Sequence, residues 1–267
     1  MTHPSAGKSP LAWLGGKSKL ADEIIRRMPD DHQAYCEVFA GAAWVLFKKP
    51  ESKVEIINDI NRDLVTLYRC VKFHLEELCK QFKWMLVARD EFDRFLATPA
   101  ETLTDIQRAA RFYYLAKTSF GARVAKPTFG IAATGPSRLN LLRIEEDLSE
   151  AHLRLSRVYI ENRPYDQVIS RFDKPGTLFY LDPPYWGCEG DYGKQLFERE
   201  DFARLATQLD GIKGRFILSL NDTPGVREVF ANFQIESVRT RYSISAKANK
   251  EVGEVLITNF ATPRNGR

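Results

Sequence analysis

The motif best suited to chemistry is an acid, two prolines and an aromatic residue that directly follow an apolar run. The run covers residues 178–181 (LFYL), and the motif is Asp182-Pro183-Pro184-Tyr185. The apolar run predicts a buried strand, which must end at the motif because proline cannot donate to a sheet ladder. Asp182 is therefore expected at the carboxyl end of a strand, where open α/β sheets bind their ligands.

This motif suits a flat nitrogenous base that carries an amino group. The lone pair of such an amine is delocalised into the ring, which makes the nitrogen a poor nucleophile. Asp182 can accept one N–H and the Pro183 carbonyl the other, which returns electron density to the nitrogen and fixes its direction. Tyr185 can stack on the base. The competing interpretation is a strand-end turn, in which Asp-Pro is common.

A second candidate binding segment lies near the start of the chain, where Trp13 and Lys17 surround a pair of glycines. Glycine lets the backbone approach a ligand closely. The segment is not a P-loop, because that motif requires a glycine at the position of Leu11. The competing interpretation is a tight turn before the amphipathic helix predicted over residues 18–28.

Two further predicted strands place polar groups at the same edge of the sheet. One covers residues 35–41 and ends at Gly41, and the other covers 54–59 and ends at Asp59, 18 residues after Gly41. In nucleotide-binding α/β sheets, an acid about 20 residues after the glycine turn holds ribose hydroxyls. A single glycine is a weak fingerprint, and Asp59 is equally suited to capping the helix predicted over 64–71.

The predicted strands fall at the two ends of the chain. Residues 64–154 instead show helical periodicity, including a helix over 106–120 for which Asp105 is the candidate N-cap. Strands resume after residue 155. We therefore predict an α/β domain formed by residues 1–63 and 155–267, interrupted by a mostly helical insertion over 64–154.

Basic residues are concentrated within this insertion. Residues 104–143 contain seven Lys or Arg and one acid, interleaved with Gly, Ser, Thr and aromatic residues. Such a segment suits phosphate contacts and the readout of base edges in nucleic acid, although a solvated helical surface is the alternative. With a second basic loop over 239–250, the candidate nucleic-acid contacts are Arg108, Arg111, Lys117, Arg123, Lys126, Arg138, Arg241 and Lys247.

The composition is that of a globular α/β protein. The chain has 267 residues, 44% of them hydrophobic, and its net charge of +4 permits an anionic partner without requiring one. Its four cysteines have no disulfide or zinc spacing and predict free thiols in a reducing cytoplasm. The sequence has no recognisable signal peptide or membrane-spanning run, so we expect a cytoplasmic protein with no membrane partner. We also expect a monomer or weak dimer, and no metal.

Together, the motifs resemble those of the Dam-like (D12-class, alpha group) DNA adenine-N6 methyltransferases. The matching segments are WLGGK at 13–17, YCEVFAG at 35–41, NDIN at 58–61, DPPY at 182–185 and RYSIS at 241–245. The resemblance implies a Rossmann-like S-adenosylmethionine-dependent methyltransferase sheet with a helical target-recognition insertion. It also implies S-adenosylmethionine as methyl donor, adenine in double-stranded DNA as acceptor, and a prokaryotic or phage setting.

The resemblance assigns roles to residues at matching positions. The catalytic motif is Asp182, Pro183, Pro184 and Tyr185, and the cofactor-binding set is Trp13, Lys17, Glu37, Phe39, Gly41, Asp59 and Asp182. Asp59 is expected at the ribose, and Asp182 at both the cofactor and the target amine. The basic loops would bind the duplex, and the adenine would flip into the pocket. Its nitrogen would attack directly, without a covalent enzyme intermediate or a metal.

Two features depart from the family pattern. The loop after the first strand usually reads Phe-x-Gly-x-Gly, but Ala43 replaces the second glycine here and bulky Trp44 follows. The added methyl group is either tolerated or crowds the methionine end of the cofactor. The insertion matches GATC-reading members poorly, so no recognition sequence is predicted.

The alternative functions are a cytosine-N4 methyltransferase, which usually has Ser in place of Asp182, and a catalytically inactive DNA-binding protein on the same fold.

Overall fold

A computed structural model describes residues 7–11, 13, 16–122, 127–130, 139–189, 197–241 and 251–262. Its centre is a seven-stranded sheet. The strands are β1 (Ala34–Glu37), β2 (Val54–Asn58), β3 (Tyr159–Glu161), β4 (Thr177–Leu181), β5 (Arg215–Asn221), β6 (Gln234–Arg241) and β7 (Glu251–Thr258). Each strand predicted from the sequence is present. The strand before the motif stops at Leu181, as the prolines require.

The strand order is β3-β2-β1-β4-β5-β7-β6. The first five strands in this order are mutually parallel, and β7 runs antiparallel to both β5 and β6. The chain thus enters the sheet at β1, moves outwards to β3 and then crosses to β4 on the other side. This arrangement confirms the predicted Rossmann-like methyltransferase sheet, and its crossover between β1 and β4 is where such sheets bind ligands.

The pairing of β1 with β2 and β4 aligns three predicted site segments along one edge of the sheet. Glu37 of β1 is paired with Ile57 of β2 on one side and with Tyr180 of β4 on the other. Since the strands are parallel, the residues two positions further on emerge together at the carboxyl edge of the sheet. Two of these residues are the predicted site acids, Asp59 and Asp182.

Helices pack on both faces of this sheet. They are α1 (Ala21–Arg26), α2 (Trp44–Lys48), α3 (Arg62–Phe73), α4 (Leu75–Phe82), α5 (Arg89–Ala97), α6 (Asp105–Thr118), α7 (Ile144–Leu155), α8 (Tyr165–Phe172), α9 (Arg199–Asp210) and α10 (Pro224–Val229). None of the helices in the described part of the chain is long and apolar enough to cross a membrane.

Two helix caps differ from those considered from the sequence. Asn61, not Asp59, caps α3 by accepting from the backbone N–H groups of Asp63 and Leu64. Thr104, not Asp105, caps α6 and forms a capping box with Gln107. Both corrections have one cause: the cap must have extended backbone and lie two or three residues before the N–H groups it binds.

The core has two parts because side chains alternate across the sheet. In β4, Leu178 and Tyr180 belong to one buried cluster, whereas Phe179 and Leu181 belong to the other. The helices of the predicted insertion bury residues such as Leu64 into the same cluster as Tyr180. The helices in the described part of residues 64–154 therefore share a core with one face of the sheet.

Candidate active site

A pocket opens at the carboxyl edge of β1, β2 and β4 and contains about 800 Å³ of empty space, including its mouth. It brings together Trp13, Lys17, Glu37, Phe39, Gly41, Asp59, Asp182 and Pro184 from the predicted site set. Pro183 and Tyr185 are the immediate neighbours of lining residues. Residues from both ends of the chain thus meet in one pocket.

Asp182 is held at the end of β4 by two neighbours. Lys17 Nζ lies 2.7 Å from Oδ1 of Asp182, and the Ser219 hydroxyl donates to the same oxygen at 3.1 Å. Burial raises the pKa of Asp182, and the charge of Lys17 opposes that rise. Both of these contacts use Oδ1, so Oδ2 can accept from a substrate amine.

Tyr185 is held at its hydroxyl group and along its ring. Its hydroxyl donates to Oε1 of Glu254 at 2.7 Å, and Lys17 Nζ lies 4.6 Å from the centre of its ring. The next residue, Trp186, exchanges two hydrogen bonds with Asn221: its N–H donates to the amide oxygen at 2.9 Å, and its carbonyl accepts from the amide nitrogen at 3.0 Å. The aromatic residue of the motif is therefore fixed through its side chain and its neighbouring backbone.

Asp59 organises the turn that follows β1. Its Oδ2 accepts from the Gly41 N–H at 2.9 Å, and its Oδ1 accepts from the Asn61 N–H at 2.8 Å. The Gly41 carbonyl accepts from the Tyr68 hydroxyl at 2.7 Å. Burial raises the pKa of Asp59, and these backbone N–H groups oppose the rise. A carboxylate oxygen has more than one lone pair, so Asp59 can still accept from ligand hydroxyls.

Gly41 has two reasons to be glycine. Its φ of +48° lies in the left-handed region, and a Cβ atom built there would lie 2.9 Å from Nε1 of Trp13. The backbone of the turn consequently packs directly against the Trp13 indole.

Glu37 lies beneath this turn and is buried, with 2% of its surface exposed. Its Oε2 accepts from the Tyr35 hydroxyl at 2.8 Å and from the Leu46 N–H at 3.0 Å, which places the carboxyl group at the start of α2. Burial raises the pKa of Glu37 to about 8, although both hydrogen bonds lower it. Glu37 therefore lines the pocket as a largely neutral acid at pH 7.

Ala43, where the family pattern has glycine, adopts a left-handed conformation with φ 50° and ψ 38°. It is buried, lines the pocket and precedes α2. The backbone has thus kept the conformation that a glycine would adopt freely. Trp44 also lines the pocket, with its Nε1 3.0 Å from a Cβ atom built on Gly16.

Three predicted DNA contacts make internal contacts instead of extending from the surface. Arg108 forms a salt bridge with Asp63 in α3. Arg111 donates to the Phe95 carbonyl at 2.6 Å. Burial lowers the pKa of Lys117. Arg123, Lys126, Arg138 and Lys247 lie outside the described residues, and only the backbone of Arg241 is described, at the end of β6.

The segment 182–186 is held in place by Ser219, Asn221 and Glu254, none of which was predicted from the sequence. They lie on β5 and β7, which are far from the motif in sequence, and the only signal was a polar residue in or beside an apolar strand. Within the described ranges, His, Cys, Asp and Glu side chains form no group of three that could bind a metal ion.

A Rossmann-like sheet with an acid, two prolines and a tyrosine at its central carboxyl edge defines a class of protein, the methyltransferases that act on the exocyclic amine of a base. The model of one family, the D12 class N6 adenine-specific DNA methyltransferases, matches residues 13–244. The chain belongs to this family. Its reaction is the transfer of a methyl group to N6 of adenine in DNA, which excludes the cytosine-N4 alternative.

Similar proteins cover nearly the whole chain. Type II methyltransferase M.CviBI of Paramecium bursaria Chlorella virus NC1A is 24% identical over 97% of this chain and 99% of its own length. Type II methyltransferase M.MjaIII of Methanocaldococcus jannaschii is 25% identical over 94% of this chain and 98% of its own length. DNA adenine methylase of Escherichia coli (strain K12) is 27% identical over 92% of this chain and 93% of its own length.

Proposed function

We propose that the pocket binds S-adenosylmethionine and presents Asp182 to the N6 amine of an adenine flipped out of duplex DNA. The observation that carries the proposal is the position of Asp182. It lies at the end of β4 on the pocket wall, with Oδ1 bound by Lys17 and Ser219 and with Oδ2 available to a substrate. A carboxylate in this position can hold an amine in a fixed direction.

The pocket fits this cofactor in the chemistry of its lining residues. Trp13 and Trp44 offer apolar walls, and Asp59 offers an acceptor for ribose hydroxyls at the end of β2. When bound, S-adenosylmethionine supplies an electrophilic methyl group. Ala43 occupies the left-handed turn without displacing α2 from β1, which supports the interpretation that its methyl group is tolerated.

The chain's own residues then prepare the amine. Oδ2 of Asp182 and the Pro183 carbonyl accept the two N6 hydrogens, which directs the nitrogen lone pair away from the ring plane. The charge of Lys17 favours the ionised form of Asp182, in which both carboxylate oxygens are acceptors. Tyr185 stacks on the base. Asp182 and the Pro183 carbonyl would hold the amine towards the methyl group that S-adenosylmethionine supplies, and the proton released by the methylated nitrogen would pass to water.

The test is methyl transfer from labelled S-adenosylmethionine to unmethylated genomic DNA, followed by nucleoside analysis. We expect N6-methyladenine from the wild type and a rate at least about 100-fold lower from Asp182→Ala. Asp210→Ala, which removes an exposed acid from the end of α9, should retain the wild-type rate. Wild-type transfer by Asp182→Ala would contradict the proposal. If the wild type neither transferred methyl groups nor bound S-adenosylmethionine in calorimetry, the inactive DNA-binding alternative would be favoured.

We also propose that the substrate is a double strand with a defined recognition sequence, and that the enzyme acts as a monomer or weak dimer. Relatives from a virus, an archaeon and bacteria support a prokaryotic or phage-infected cytoplasm as its setting. Light scattering at assay concentration would test the oligomeric state. Sequencing the methylated sites, and comparing single-stranded with double-stranded oligonucleotides that contain them, would test the form of the substrate.

A further inference from the structure

Glu254 is a buried acid next to the active site that the proposed chemistry does not use. It lies on β7 with none of its surface exposed, and it is followed by the apolar residues Val255, Leu256 and Ile257. Burying an acid is costly unless it is bound by hydrogen-bond donors or charges. A structural or functional requirement must therefore keep a carboxylate at this position in the sheet.

The position of Glu254 in the sheet brings it to the catalytic motif. Glu254 is paired with Asn221 of β5 in the antiparallel ladder. Glu254 and Asn221 bind consecutive residues, Tyr185 and Trp186. Glu254 accepts from the Tyr185 hydroxyl at 2.7 Å, while the Asn221 side chain accepts from the Trp186 N–H and donates to the Trp186 carbonyl. The Tyr185 residue is consequently held at the far end of its ring and beside its Cα atom.

We propose that Glu254 is a positioning residue for the target adenine, which acts by fixing the position of the Tyr185 ring through the phenol hydroxyl. This inference rests on the proposed stacking of adenine on Tyr185. The phenol oxygen lies on the axis about which the ring turns, so its hydrogen bond to Glu254 holds the first side-chain dihedral angle, which swings the whole ring, and leaves rotation about that axis to the other contacts of the ring. The ring is then already oriented when the base arrives, so less freedom is lost on binding.

The contact also gives a physical reason for tyrosine in place of phenylalanine at residue 185. Either aromatic ring offers a face on which a base can stack. Only tyrosine has the hydroxyl group that reaches Glu254. The oxygen lies at the end of the ring remote from the backbone, where a single bond most limits the swing of the ring about its first side-chain dihedral angle.

The experiment is a double-mutant cycle on methyl transfer to DNA under saturating S-adenosylmethionine. Tyr185→Phe and Glu254→Ala should each reduce kcat/KM for DNA by about tenfold, the usual effect of one hydrogen bond to a charged group. The double variant should be no worse than either single variant, because both remove the same hydrogen bond. Glu254→Gln, which keeps an acceptor oxygen, should recover most of the lost rate.

Two controls separate this hydrogen bond from general damage to the fold. Thermal unfolding should remain cooperative in Tyr185→Phe, with a lower midpoint because buried Glu254 loses this donor. The S-adenosylmethionine affinity, measured by calorimetry, should change little. If Glu254→Ala fails to fold, Tyr185→Phe and Glu254→Gln still test the hydrogen bond. Additive losses in the double variant, or a wild-type rate for Tyr185→Phe, would overturn the proposal.

Tyr185→Ala distinguishes the failure of this inference from the failure of the proposed function. If Tyr185→Ala loses activity but Tyr185→Phe does not, Tyr185 stacks on the base without help from Glu254. If Tyr185→Ala is as active as the wild type, the stacking role of Tyr185 is itself wrong, and the positioning role of Glu254 is overturned with it.

Discussion

At the scale of residues, two of the carboxylic acids that line the pocket, half-buried Asp182 and buried Glu37, differ in their neighbours. Asp182 has the ammonium group of Lys17 at 2.7 Å, whereas Glu37 accepts only from a phenol and a backbone N–H. Burial raises both pKa values, but a full positive charge opposes the rise only at Asp182 at such close range. We infer that Asp182 is the acid that accepts from substrate and that Glu37 supports the pocket floor.

This difference predicts how stability depends on pH. The pKa of Glu37 rises from 4.5 to about 8 on folding, so within that window the folded state binds more protons than the unfolded state. Stability attributable to Glu37 should therefore fall as pH rises through the window, by a few kcal/mol at most. Glu37→Gln resembles the protonated acid, so its unfolding free energy should increase relative to wild type between pH 5 and pH 8.5. Denaturant titrations that gave parallel pH profiles would contradict this assignment.

The site residues that could be predicted from the sequence are those whose positions are determined by neighbouring residues in the chain. Asp182 and Gly41 were predictable because prolines and a strand pattern fix where they must lie. Glu254 and Asn221 were not, because their role depends on the pairing of β5 with β7, which no local pattern specifies. The roles of Arg108 and Arg111 were also hidden, since charge alone does not tell a salt bridge within the chain from a phosphate contact.

At the scale of elements, the turn between β1 and α2 carries local strain. Ala43 is in the left-handed region, which costs an L-residue other than glycine roughly 1–2 kcal/mol. The strain is accepted because this turn must place the start of α2 against Glu37 and leave Gly41 against Trp13. Family resemblance indicated glycine here, but no local pattern indicated that the backbone would stay left-handed without it.

Restoring the glycine should therefore stabilise the protein. We expect Ala43→Gly to raise the free energy of unfolding by about 0.5–1 kcal/mol, since relief of strain exceeds the added freedom of the unfolded chain. The matched control is Ala42→Gly in the same turn, which is buried and has no positive φ, and which should lose about the same amount. Thermal and denaturant unfolding measure both changes. Destabilisation by Ala43→Gly would show that its methyl group contributes more by packing than it costs in strain.

At the scale of the whole molecule, the net charge is a modest +4, and the basic residues have two uses. Some can bind DNA, and others form contacts within the chain. Arg108 and Arg111 face Asp63, with side chains that are 15% and 12% exposed. These residues join α6 to α3 and to the Phe95 carbonyl of α5. The strongly basic segment that the sequence indicated is thus partly a set of contacts between helices, and we propose that the remaining candidates supply the phosphate contacts.

This division predicts opposite effects for two arginine variants. Arg111→Ala should lower the free energy of unfolding by about 1–3 kcal/mol, because it leaves a buried carbonyl without its donor, and should leave the salt dependence of DNA binding unchanged. Arg138→Ala should keep wild-type stability but lower the slope of log affinity against log salt by about 0.9, the value expected for one neutralised phosphate. Salt titrations of DNA binding and thermal unfolding of both variants test the pair. If Arg111→Ala instead lowered the salt slope and kept wild-type stability, Arg111 would be a phosphate contact and not a contact between helices.

The crossover between β1 and β4 has a consequence for use of the enzyme as a tool. Trp13, Lys17 and Asp59 come before the long helical segment, and Asp182 and Glu254 come after it. A chain cut between α6 and α7 would divide the pocket, with β1 on one fragment and its neighbour β4 on the other. Neither fragment would hold both the proposed ribose acceptor, Asp59, and the proposed catalytic acid, Asp182. If each were fused to one of two interacting proteins, methylated adenine would form only where the partners met, and DNA would keep a covalent record of that encounter.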